Sequence, residues 1–149
     1  MFWAASLAAQ GIAVPAGERE ALRLEGKGVQ VYRCDAQKWV FVAPEAQLYL
    51  HGTQVGVHGA GPIWRYTDGS FVRGEVVSKA DSPDESAIPW LLLKAAETGG
   101  SGVLTSVNYV TRTHTVGGIA PNSGCDATHT TETVRVPYTA WYIFYRPAS

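Results

Sequence analysis

His58 is followed by Gly59, Ala60, Gly61 and Pro62. An imidazole can bind a metal, move a proton or hydrogen-bond a ligand near neutral pH. Glycine opens backbone conformations that a Cβ forbids, and proline fixes φ and lacks an N–H. The run therefore places His58 at a sharp corner rather than inside a long regular strand. Trp64, Tyr66 and Asp68 follow closely. Aromatic faces with a few polar groups suit sugars or small apolar ligands. His58, Trp64, Tyr66 and Asp68 are thus the candidate ligand-binding residues. The plainer reading, in which His58 only hydrogen-bonds backbone at the corner, is favoured over catalysis.

Two further histidines, His114 and His129, flank the loop that carries Cys125. Folding of that loop toward His58 would assemble three imidazoles, a ligand set for copper or zinc. No two histidines stand two or four apart, so spacing does not itself specify a metal, and no cofactor is expected. His51 falls in a turn, where solvent suffices for it. No G-x-S-x-G is present, and nothing in the spacing of Asp68, Glu75 and Glu132 singles out a glycosidase pair. No catalytic residue is assigned.

The elements that must position these residues alternate with period two, the strand signature. The expected strands are 20–25, 29–34, 38–43, 46–51, 54–58, 63–66 and 71–78, with an Asp68-Gly69 hairpin between the last two. Pro44 is expected to end one strand. A loop at 80–86 leads to the one expected helix, about residues 88–98. Ser86 would cap its start, Pro89 would sit in its first turn and Gly99-Gly100 would stop it. Asp84 and Glu85 would then lie at the positive end of its dipole, a structural role preferred over a calcium site. Val103 to Val116 reads as a long strand, and 130–136 and 138–146 finish the sheet around a kink at Pro137. The sum is a mainly β, single-domain antiparallel sandwich or barrel with one short helix.

The charged fraction is only 17% and the net charge is −1, with no Lys/Arg block. That excludes the clustered cations a nucleic-acid partner needs. The two cysteines, Cys34 and Cys125, belong to no CxxC pair. They are either unrelated buried thiols or, preferably, one disulfide closing a loop of about 90 residues in an oxidising compartment. Residues 1–11 resemble the end of a secretory signal without a positive n-region, so the domain is expected to span 12–149. No stretch approaches the ~20 apolar residues of a membrane-spanning helix.

Several stretches carry a family resemblance: 28–34 (GVQVYRC), 39–45 (WVFVAPE), 55–64 (VGVHGAGPIW), 68–70 (DGS), 87–93 (AIPWLLL) and 136–146 (VPYTAWYIFYR). In this order they resemble an uncharacterised family of small secreted proteins, a domain of unknown function shared by bacteria and filamentous fungi. The resemblance covers residues 12–147. It implies a shared fold and a secreted, periplasmic or cell-envelope location, and it assigns no catalytic residues. Gly59 stands where many members are expected to carry an aromatic residue. Some members bear the label malate dehydrogenase. This chain gives that label no support, having no GxGxxG after a strand and no βα alternation.

The favoured expectation is a secreted, non-catalytic β-domain that binds a small molecule, a glycan or a cell-surface protein. One alternative is a metalloprotein or enzyme using His58 with His114 and His129. Another is a self-assembling envelope protein.

Overall fold

Alternation of inward and outward side chains runs through almost the whole chain and closes it into a ring. The computed structural model describes residues 11–149. The expected leader at 1–11 therefore lies, but for Gly11, outside the described residues. The strands are β1 (Glu18–Asp35), β2 (Lys38–Leu50), β3 (Thr53–Gly59), β4 (Ile63–Tyr66), β5 (Phe71–Ala80), β6 (Trp90–Gly99), β7 (Tyr109–Gly117) and β8 (Thr133–Pro147). Each pairs antiparallel with the next, and β8 closes on β1 from Glu18↔Pro147 to Arg33↔Thr133. The expected mainly β, antiparallel single domain is thus a closed eight-stranded barrel.

The barrel interior is the core. Leu24, Leu48, Trp64, Val72, Leu93, Val110, Tyr142 and Phe144 pack there, almost all fully buried. Outward positions on β1 carry Arg23, Glu25 and Lys27, which engage in surface ion pairs. The apolar interior is the reverse of a water-filled barrel. Interior room is set by close strand approach at Gly28, where a Cβ would stand 2.1 Å from the Glu45 carbonyl oxygen.

The helix expected over 88–98 is instead strand β6, bonded to β5 and β7. Its inward residues Leu91 and Leu93 join the core. Its outward Trp90 and Leu92 are covered by Ile12 and Val14 of the N-terminal segment. With both faces buried, the run loses its period-two signal and cannot be told from a buried helix. Ser86 caps no helix. Asp84 accepts bonds from the Ser86 amide at 2.9 Å and its hydroxyl at 2.6 Å, which shapes the β5–β6 loop.

Val103–Ser106 is a 3-10 turn rather than the start of a strand. Side chains intercept its amides. Val103 N–H donates to Asp68 at 2.8 Å and Leu104 N–H to Ser70 Oγ at 3.1 Å. Gly102, at φ 147°, lies so close that a Cβ would stand 2.0 Å from the Asp68 carboxylate. The turn drives Leu104 into one end of the barrel, where it is fully buried. Pro44 and Pro137 do not break their strands, pairing in register with Gln30 and Val29.

Cys34 and Cys125 form the disulfide, with Cα atoms 5.3 Å apart and a sequence separation of 91. It pins the β7–β8 connection to the end of β1. No helix among the described residues is long and apolar enough to cross a membrane.

Candidate ligand-binding site

Opposite the end filled by Leu104, the barrel opens beside the β3–β4 corner. His58 is the penultimate residue of β3, paired with Ala46 on one side and Trp64 on the other. Period-two alternation sends both His58 and Trp64 inward, and their rings stack with centroids 4.5 Å apart and 12° between planes. Tyr142 of β8 closes against the imidazole at 4.8 Å. The corner itself, Ala60-Gly61-Pro62, forms part of the rim, with a cis peptide before Pro62.

These groups border a cavity of about 310 Å³, near the lower end of the ~300–1,000 Å³ typical of ligand pockets. Its walls are apolar. Trp64, Leu91 and Leu93 form the depth, and Phe41, Val42 and Val76 the mouth. The mouth residues are about half exposed. A register shift between β1 and β2 leaves Val42 without a partner on β1, and a bulge of this kind re-aims side chains beside sites.

Four polar groups interrupt the apolar lining: Gln30, His58, Arg112 and Tyr142. His58 Nδ1 lies 2.8 Å from the Ile63 carbonyl oxygen. A carbonyl only accepts, so Nδ1 carries the proton and Nε2 presents a lone pair. Burial pushes the His58 pKa down to about 4. The Ile63 bond works against that shift and the Arg112 charge adds to it. The ring is therefore neutral at physiological pH. Tyr138 and Tyr142 share a bond between hydroxyls at 2.7 Å. Burial raises both phenol pKa values, so both stay protonated. Arg112 donates through Nε and Nη2 to the Pro89 carbonyl at 3.1 and 2.8 Å, and its guanidinium also approaches the Tyr142 hydroxyl. Among the described residues no carboxylate lines the cavity. The arrangement combines shape, an apolar wall and hydrogen bonds, without an activated nucleophile.

A family described as a protein of unknown function, DUF3455, matches residues 15–146. The chain belongs to DUF3455. No curated protein and no solved structure matches it. The match spans every strand of the barrel, as the resemblance implied. At Gly59 of this DUF3455 chain a Cβ would meet only the Pro44 carbonyl oxygen, at 4.0 Å. A larger side chain at the rim has room there.

Of the expected ligand-binding residues, the DUF3455 barrel brings His58 and Trp64 to the cavity and leaves Tyr66 and Asp68 out of it. Tyr66 pairs with Gly56 and packs on the core from β4. Asp68 accepts from Ser70 and Val103, bonds that hold its pKa below the usual carboxylate range. Its role is to tie the β4–β5 hairpin to the 3-10 turn.

The three-imidazole set His58, His114 and His129 is not assembled. Among the described residues no three His, Cys, Asp or Glu side chains are grouped to hold a metal. His58 is inside the barrel. His114 sits in a bulge of β7 at φ 50°, which turns it to the outer face, where it stacks on Trp90 at 5.4 Å. His129 is exposed and pairs with Asp126 at 2.6 Å, a bond that raises the imidazole pKa; the Thr128 hydroxyl first and then this bond lower the pKa of Asp126 to about 2.

The sequence reading missed Gln30, Arg112 and Tyr142 as site residues. For Arg112 a signal was present. It shares the inward parity of Val110 in a strand rich in Val and Thr, and a charge on an inward position conflicts with a packed core.

Proposed function

We propose that this protein is a secreted, non-catalytic β-barrel that carries or senses a small organic molecule in the chamber beside His58. The observation that carries the reading is the cavity itself: apolar walls, few polar groups and a half-exposed apolar mouth, the usual make-up of a ligand site. The low pKa of His58 makes it a weak base at neutral pH, and no carboxylate or activated nucleophile faces it. That supports binding over hydrolysis. A chamber of this size favours a small molecule over a glycan chain or a protein surface. The disulfide supports a secreted, periplasmic or envelope location.

Calorimetric titration with a neutral aromatic probe, 2-naphthamide, tests the reading. Wild type is expected to bind one equivalent saturably. Val76→Trp, which blocks the chamber mouth from β5, where Val76 pairs with the inward Leu93, is expected to lose binding while keeping its urea midpoint. Equal binding by both proteins, or failure of wild type to bind both 2-naphthamide and its carboxylate analogue 2-naphthoate, overturns it. Fractionation of producing cells tests location, and protein found in the cytosol with free thiols contradicts secretion.

A further inference from the structure

Among the described residues, the lining of the chamber holds one charged side chain and no opposite charge. Arg112 is half-buried among apolar residues, and no ion pair satisfies it among the described residues. Two of its N–H groups serve one backbone carbonyl, that of Pro89, which fixes the plane and position of the fork. A guanidinium has five donors, so further N–H groups remain. A cation without a counter-ion in an apolar setting is costly, and its partner is normally a carboxylate held through charge-assisted bonds.

A second observation points the same way. Gln30, opposite Pro44 on β1, lines the same chamber and is only 4% exposed, yet its Oε1 has no hydrogen-bond partner. A buried, unpaired amide oxygen is costly in a finished core. His58 adds an unpaired Nε2 acceptor, since its Nδ1–H is committed to Ile63. The chamber thus presents one fixed cation, two acceptors lacking donors, and an aromatic wall at Trp64.

We propose that the ligand is a small amphipathic carboxylic acid, bound as its anion with the carboxylate on Arg112 and its apolar body against Trp64 and the mouth. This rests on the reading of the chamber as a binding site and names the ligand's class. Gln30 Oε1 and His58 Nε2 accept from a hydroxyl or N–H on the same molecule. A glycan or a neutral lipid would leave the guanidinium without its counter-charge.

Paired titrations with 2-naphthoate and its neutral isostere 2-naphthamide test this at pH 7. Wild type is expected to prefer the acid by tenfold or more. Arg112→Gln is expected to abolish that preference while still binding the amide, and Arg112→Lys to retain part of it. Because Arg112 also holds Pro89, the wild-type comparison stands by itself should the variants fail to fold. Binding of the amide as tight as that of the acid overturns the carboxylate assignment and leaves the chamber a neutral-ligand site. Failure of both probes overturns the binding reading and this assignment with it.

Discussion

Protonation of His58 should act as an acid lever on the fold. Its folded pKa is pushed from 6.5 down to about 4 by burial. A group with a depressed folded pKa binds fewer protons folded than unfolded across that window. The imidazole's contribution is therefore fully present above pH 6.5 and is lost as pH falls toward 4. The whole window is worth roughly 3 kcal/mol, at about 1.4 kcal/mol per unit. Between pH 7 and pH 4.5 the expected loss is about 2 kcal/mol. Other groups titrate too. His129 has a raised pKa and acts with the opposite sign, and Asp68, Asp84 and Asp126 have lowered values. They are common to wild type and variant, so the comparison isolates His58. In His58→Phe the ring stack on Trp64 can persist, and the Ile63 carbonyl loses its donor, at a pH-independent cost of about 1–2 kcal/mol. Urea unfolding of both proteins at pH 7 and 4.5 is the assay. Wild type should lose about 2 kcal/mol more than His58→Phe over that interval. Parallel losses in the two proteins would refute the buried, neutral imidazole.

Other expectations follow from the same contacts. Removing the disulfide by Cys34→Ser with Cys125→Ser should cost about 4–5 kcal/mol for a 91-residue loop, read as a lower urea midpoint; two free thiols in unreduced, denatured wild type would contradict the bond. Gly28→Ala should cost about 3 kcal/mol or more, because its Cβ meets backbone of β2; near wild-type stability by thermal melting would contradict the close approach. Asp68→Ala should lower the thermal midpoint by freeing the Val103 and Ser70 amides, with 2-naphthamide affinity unchanged; a loss of affinity at full stability would return Asp68 to the site.

Strand positions were largely legible in the chain because a half-buried strand repeats every two residues. Ile63–Tyr66, Phe71–Ala80 and the Asp68-Gly69 hairpin show this directly, whereas Lys38–Leu50 was expected to break at Pro44. The failures share one cause. In β6 the N-terminal segment covers the outer face, so Trp90 and Leu92 are as buried as Leu93, and local pattern carries no record of a cover supplied from 80 residues away. The Val103–Ser106 turn depends on Asp68 and Ser70, more than 30 residues earlier. Closure of β8 on β1 is equally non-local, so sandwich and barrel read alike in the sequence. The site was half legible for the same reason. His58 and Trp64 flank one corner and come together locally. Gln30, Arg112 and Tyr142 sit on β1, β7 and β8 and meet only through the closed ring. The histidine set failed at two places: a bulge turns His114 outward, and His129 lies exposed in the β7–β8 connection beside Asp126.

The central claim is that the chamber beside His58 holds a small organic molecule. Mapping 2-naphthamide binding by NMR on labelled protein tests it most directly. The indole N–H of Trp64 and the amides of Gln30, His58 and Arg112 should shift together on saturable titration. A second concavity, between Arg23, Tyr49 and Trp141 on the outer face, supplies the internal control. Shifts confined to Trp141 and its neighbours, or none at Trp64, would contradict the account.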